Sequence, residues 1–307
     1  MDFQFAGGVW PVMLTPFTKD REIDFKTLKQ LVEWYIERGS SGLFAVCQSS
    51  EMFYLSFEER ARMTREIKKC AGGRIPIITS GHISYSIAEQ IRELNEMADA
   101  GADAVILLSN RLAAKDESDS KLLENLKTIM EELPKNVPLG FYECPYPYKR
   151  ILSKEVIEFC VNSERFCFLK DTSCDMKNIR EKLSIMKGSR MKLYNANTAT
   201  LLQSMREGAA GYSGVMANFH PELYVWLTEN WKNEPEKAEL LQGILTMSSF
   251  IELKNYPLSA KYYMRQTGLS IQANTRKNNE DILTDTEISE ILQLKKLSEE
   301  MMNLLVK

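Results

Sequence analysis

The sequence predicts a (β/α)8 TIM barrel with a C-terminal helical extension, on three observations. Short apolar runs alternate with amphipathic helical stretches, giving eight strand–helix units in about 230 residues, the pattern of a closed parallel sheet. Beyond residue 233 the helical patterns continue without further strands. Neither G-x-G-x-x-G nor G-x-x-x-x-G-K-[ST] occurs, although a doubly wound open sheet, the rival fold, would normally carry such a loop after an early strand. The expected division is a barrel over 1–233 and a helical appendage over 234–307. A chain of 307 residues suits one α/β barrel and can bury about 75% of its unfolded surface.

The elements follow in order. Gly8–Phe17 is the first apolar run, and Asp24–Arg38 the first helix, with Phe25, Leu28, Leu31, Val32, Tyr35 and Ile36 on one face. Asp24 suits its N-cap and Gly39 its stop. Gly42–Cys47 is the second run, and Ser56 with Glu59 forms a capping box for a helix to Cys70. Ile75–Ser80 leads to the helix Ser84–Ala100, and Ala102–Leu108 to the helix Asp119–Leu133. Pro138–Cys144 precedes Ser153–Val161, and Cys167–Asp171 precedes Asp175–Lys187. Met191–Ala196 precedes Thr198–Glu207, and Ala209–Val215 precedes Pro221–Asn230. The appendage reads as helices over Glu236–Ile251, Leu258–Thr267 and Thr284–Leu305, with Thr275–Asp281 a polar loop.

Composition narrows the function classes. With 39 Lys plus Arg against 42 Asp plus Glu, the net charge of -3 argues against nucleic acid as a partner. No stretch approaches the ~20 apolar residues of a membrane span. The opening Met1-Asp2 lacks a basic segment, and Pro11 and Pro16 interrupt the apolar stretch, so no signal peptide is expected. Six scattered cysteines without a C-x-x-C pair read as reduced thiols of a cytoplasmic protein. With only His82 and His220, a His/Cys metal site is not expected, and proton transfer falls to Tyr, Lys, Glu or Asp.

Chemistry in such a barrel sits at the C-terminal ends of the strands. Lys170 ends the sixth run, where desolvation would lower its pKa and leave an amine able to attack a ketone. Taken alone, Lys170 reads more readily as a solvated strand-end lysine paired with Asp171 than as a catalytic one. Tyr142 ends the preceding strand, so a phenol able to move protons should stand beside Lys170, although an isolated rim tyrosine more often only packs. The turn Gln48-Ser49-Ser50 offers hydroxyls and backbone N–H groups that can hold a carboxylate, or simply cap a helix.

These residues carry a resemblance. Gly8–Phe17, the turn Cys47–Glu51 in the place of G-[ST]-[ST]-G-E, Tyr142-Glu143-Cys144-Pro145 in the place of Y-N-x-P, and Lys170-Asp171-Thr172-Ser173 in the place of K-[DE]-[AST]-[ST] resemble the dihydrodipicolinate synthase/N-acetylneuraminate lyase family of class I aldolases. Pro257–Lys261 and Gly268-Leu269 extend the likeness over nearly the whole chain. The resemblance implies a Schiff base between Lys170 and pyruvate or another small 2-oxo acid, with Tyr142 as proton donor and acceptor. Ser49, with Gln48, Ser50 and their backbone amides, would bind the substrate carboxylate, and Ser213 would line the same pocket. It implies no metal or diffusible cofactor, and a homodimer or homotetramer.

The departures concern the second substrate. Gln48 stands where the family turn has its first hydroxyl, and an amide cannot relay a proton as a hydroxyl does. Cys47 and Ser50 replace the two glycines of that turn. Ser109 is nearest to the synthase's relay tyrosine after strand 4, and Pro147 holds the place of its carboxylate-binding arginine, with Lys149 and Arg150 just beyond. Tyr146, Tyr148 or Glu143 are the candidates to replace the relay. The expectation is a Schiff-base lyase, aldolase or dehydratase that is synthase-like without being a true dihydrodipicolinate synthase. The alternative is a barrel that has lost turnover and binds a 2-oxo or amino acid as a sensor.

Overall fold

A computed structural model describes residues 4–306, so Met1-Asp2 lie outside the described residues. Eight strands form one all-parallel sheet in the order β1-β8-β7-β6-β5-β4-β3-β2. They are β1 Gly8–Val9, β2 Leu43–Phe44, β3 Ile77–Thr79, β4 Ala104–Leu108, β5 Leu139–Tyr142, β6 Phe166–Asp171, β7 Lys192–Asn195 and β8 Gly211–Tyr212. The first strand changes partner at Pro11: Trp10 N donates to Tyr212 O, whereas Met13 N donates to Phe44 O and Phe44 N to Pro11 O. The resulting parallel bridge Val12↔Phe44 joins the two ends of the sheet into a barrel. Beside it Gly211 must be glycine, because a Cβ there would lie 1.9 Å from Gly8 O.

The helices start where their capping chemistry puts them. Asp24 accepts from Thr27 N to open Phe25–Glu37, and Ser56 and Glu59 close a reciprocal capping box on Phe57–Ala71. The third helix opens at Ile87 rather than Ser84, because Ser86 is the residue that accepts from Glu89 N. A one-turn helix, Ser109–Leu112, follows β4 directly and has no counterpart in the periodicity. The strands are shorter than the apolar runs, which also contain the buried connections leaving each strand.

Which strand residues face inward is decided by a bulge. Leu139 pairs with Phe166, but the next pair is Gly140 with Phe168, leaving Cys167 as an extra residue. Phe166 and Leu169 pack on the helix side, whereas Phe168 packs in the barrel. Without the extra residue, alternation would carry Lys170 outward with Phe166; with it, Lys170 follows Phe168 inward. Gly140 makes the room, since a Cβ there would stand 2.9 Å from Phe168 Cβ. Phe168 stacks on Tyr194 at 4.2 Å and meets Trp10 edge-on at 5.3 Å, which floors the barrel with rings.

The C-terminal helices Pro235–Ser248, Leu258–Gln266 and Asp285–Val306 contribute Leu241, Leu245, Leu258, Met264 and Ile291 to the same hydrophobic core as Trp10 and Phe44. The connection between the first two, residues 249–257, runs over the barrel mouth and brings Asn255, Tyr256 and Pro257 to the cavity there. No helix among the described residues is long and apolar enough to cross a membrane. All six cysteines are unpaired.

Candidate active site

Tyr142 and Lys170 are register partners on β5 and β6, both directed into the barrel. The Lys170 ammonium lies 4.2 Å from the centre of the Tyr142 ring and 5.8 Å from that of Phe44. Lys170 is 4% exposed. Burial over the aromatic floor pushes its pKa down to about 8, opposed by Cys47, Cys144 and Glu252. Roughly a tenth of the amine is then neutral at pH 7, far more than for a lysine in water. The same burial raises the Tyr142 phenol well above its ordinary pKa, so it stays protonated and acts as a donor until an adjacent charge changes that.

Asp171 does not pair with Lys170. It points to the outer face of β6, where Lys182 donates to it and, at 2.6 Å, to Glu143 Oε1. Glu143 also accepts from Leu152 N and Thr172 N, which removes it as a replacement relay. The triad is almost completely buried. It fastens the residues that directly follow Tyr142 and Lys170, and so fixes the strand ends that carry them.

The turn after β2 is a 3-10 turn, Gln48–Ser50. Ser50 is committed within it: its hydroxyl accepts from Cys47 N and donates to Cys47 O, each at 2.7 Å. Ser49 faces the cavity and shares a hydrogen bond with the Tyr256 phenol, which also accepts from Asn218 Nδ2 at 2.8 Å. Gln48 Oε1 accepts from the Tyr142 hydroxyl and from Cys144 Sγ, both at 3.4 Å. Ser213 is turned away, its hydroxyl donating to Trp10 O at 2.9 Å, and Val215 lines the cavity from that side.

The other sequence candidates separate in the same way. Ser109 donates to Arg150 O and Tyr148 to Asn110 O, both structural bonds. Lys149 donates to Thr172 O, and Arg150 to Ala114 O and Asp119. Neither cation lines the cavity; Tyr146 does. His82 and His220 are buried, neutral and bonded to Leu108 N and Ser298. Among the described residues no cluster of His, Cys, Asp and Glu suited to a metal gathers anywhere.

The cavity holds about 390 Å³, toward the small end of ligand sites. Sequence reasoning missed Tyr256, although it adjoins the Pro257–Lys261 segment, and the polar loop Thr275, Lys277 and Asn278, which forms one wall. The arrangement supplies a dry primary amine, a phenol beside it, and hydroxyls from Ser49 and Tyr256 in the same cavity. The amine's protonation sets a pH prediction. Only the neutral form attacks, so imine formation with saturating 2-oxo acid should rise with pH, with a midpoint near 8, and level off above it. A rate profile of reductive trapping checks this; a midpoint near 10.5, the ordinary lysine value, would mean that the amine is solvated.

Comparison with known proteins gives a consistent result. A sequence model described as the Dihydrodipicolinate synthetase family matches residues 5–294. A 4-hydroxy-tetrahydrodipicolinate synthase of Psychrobacter arcticus is 25% identical over 266 residues, 85% of this chain and 86% of that one. The chloride-inhibited dihydrodipicolinate synthase of Acinetobacter baumannii, complexed with pyruvate, superposes with a TM-score of 0.84 at 25% identity, covering 95% of this chain and 99% of that one. YagE of E. coli K12, a prophage protein of the dihydrodipicolinic acid synthase family also in complex with pyruvate, gives 0.83 at 20% identity, over 96% and 98% of the two chains, a likeness of fold.

Proposed function

The chain belongs to the dihydrodipicolinate synthetase family, whose members are class I aldolase-type lyases, and from that premise we propose that it makes or breaks a bond next to the carbonyl of pyruvate or a similar small 2-oxo acid through an imine on Lys170. The observation that carries the reading is the register pair Tyr142–Lys170 in a dry pocket, with the amine's pKa held near 8.

The chemistry follows from these groups. Neutral Lys170 Nζ adds to the ketone carbon, giving a carbinolamine, and loss of water gives the iminium. The iminium draws the electron pair of a methyl C–H bond toward nitrogen, and the departing proton leaves an enamine. The enamine carbon attacks the carbonyl carbon of an acceptor, forming the C–C bond, and the acceptor oxygen takes a proton. Hydrolysis of the new iminium returns the lysine; cleavage runs the same steps backward. Tyr142 is the one phenol beside the nitrogen and is assigned the proton transfers. The positive iminium next to its ring is the charge that makes it a usable base. Ser49 and Tyr256 are assigned the substrate carboxylate. Ser50 and Ser213 support the turn and the first strand.

The natural reaction differs, on this reading, from dihydrodipicolinate synthesis. The arginine place after strand 5 is Pro147, and Lys149 and Arg150 are bonded elsewhere. The proton path from Tyr142 ends at the Gln48 carbonyl, which accepts a hydrogen bond and passes no proton on. Tyr142 therefore exchanges protons with the substrate directly. Six unpaired cysteines suit a reducing cytoplasm, and a homodimer or homotetramer is expected from the family resemblance.

Deuterium exchange tests the reading without knowledge of the acceptor. Pyruvate in D2O should lose its methyl proton signal in the presence of the protein, because the enamine regains deuterium. Tyr142→Phe should slow that exchange by about a hundredfold or more. Binding of pyruvate with no exchange above the uncatalysed rate would favour the sensor alternative and contradict the proposal.

A further inference from the structure

We infer that Lys277 forms, with Tyr54 and Asn278, a subsite for a second carboxylate on the substrate, in the cavity that Lys170 also lines. This rests on the imine reading and names what the rest of the pocket is built to take. Among the described residues, Lys170 and Lys277 are the two cations that line the cavity, and its one carboxylate, Glu51, is occupied. Glu51 accepts from Lys261 Nζ and Arg276 N, each at 2.9 Å. With Lys170 consumed as the imine nitrogen, any further anionic group of the substrate has Lys277 as its remaining cationic partner.

Lys277 is exposed, yet its loop is fixed. Lys261, fully buried, donates to Asn274 O at 2.7 Å, and Asn274 Nδ2 donates to Thr18 O at 2.7 Å. Arg276 pairs with Glu59 and lies 4.9 Å from the centre of the Phe17 ring. Within the turn Thr275 N donates to Asn278 O at 2.8 Å. The Lys277 ammonium stands 4.5 Å from the centre of the Tyr54 ring, and the Tyr54 phenol holds it in its charged form. A cation held this way loses little side-chain entropy on binding an anion. Phe53 and Tyr146, whose rings meet edge-on at 4.9 Å, line the same cavity and suit an aliphatic spacer.

Matched 2-oxo acids test the inference through reductive trapping of Lys170. 2-Oxoglutarate is compared with 2-oxopentanoate, and 2-oxoadipate with 2-oxohexanoate, and the concentration for half-maximal modification is read for each. At low salt at least one dicarboxylate should trap at roughly fivefold lower concentration than its monocarboxylate partner, the size of one exposed ion pair. The advantage should shrink at high salt. Lys277→Gln should bring the ratio to about one, Lys277→Glu should reverse it, and Lys277→Arg should keep it. Equal trapping within both pairs, or a preference that survives Lys277→Gln, overturns the subsite while leaving the imine reading intact. If no 2-oxo acid traps, pyruvate included, the imine reading falls and the subsite with it.

Discussion

Replacing Lys170 by Met should abolish catalysed exchange of the pyruvate methyl protons, a loss of roughly four orders of magnitude or more, and should at the same time raise the melting temperature at pH 7. The two effects have one cause. The folded-state pKa of Lys170 is lowered from 10.5 to about 8, so the fold at pH 7 holds a cation that would be better solvated in the unfolded chain. For a basic group with a depressed folded pKa, the unfolded state binds more protons between the two values, and stability rises with pH across that window. Below pH 8 the full penalty is present, an upper bound of about 3 kcal/mol. Methionine fills a similar volume without charge. The stability gain of Lys170→Met over the unmodified protein should therefore be largest near pH 7 and fade between pH 8 and 10.5. Thermal melts across that range measure it; a variant less stable at pH 7 would mean that the amine is not desolvated.

Removing Lys182 should have the opposite sign and a comparable size. Lys182, 1% exposed, is the cation between Glu143 and Asp171, both fully buried. Lys182→Met leaves two carboxylates with no cation in a dry site, which costs about 3–5 kcal/mol. For a chain of this length that lowers the melting temperature on the order of 10 °C. The pH dependence identifies the mechanism. A carboxylate whose folded pKa is raised destabilises the fold increasingly as pH rises above its unfolded value, so the deficit should be larger at pH 7 than near pH 4.5 and shrink as Glu143 protonates. Glu143 already has a raised pKa with Lys182 present, its burial outweighing the attraction. Adding Glu143→Gln and Asp171→Asn to Lys182→Met should recover part of the loss, because a neutral cluster needs no cation. A deficit that is independent of pH would assign the effect to packing. Because the triad anchors the residues after Tyr142 and Lys170, the single variant should also slow pyruvate exchange.

The alternation of apolar runs and amphipathic helices made the barrel legible, since eight parallel strands with interposed helices have few other ways to bury both faces. Caps such as Asp24 and the Ser56/Glu59 box marked helix starts because their chemistry is local. Lys170 and Tyr142 were legible because a polar residue ending an apolar run lies at the barrel mouth, and because their motifs resemble a known family. What stayed hidden depends on phase and on distance. The run Phe166–Asp171 is buried on both faces, so nothing in it marks the extra residue at Cys167 that turns Lys170 inward and Asp171 outward. The hydroxyls of Ser50 and Ser213 look like that of Ser49 in sequence, yet each donates to a backbone carbonyl, and neither residue is among those lining the cavity. Tyr256 and Lys277 reach the site from the C-terminal segment, across a separation that periodicity does not see.

Mapping the adduct formed by pyruvate and cyanoborohydride is the most direct measurement on which the account stands. After proteolysis and mass spectrometry, the reduced pyruvyl group should reside on the peptide containing Lys170, as one secondary amine per chain, with its yield climbing through pH 8. A modification spread over surface lysines with Lys170 unlabelled, or no modification under conditions that saturate the pocket, would contradict the imine on which every functional assignment here depends.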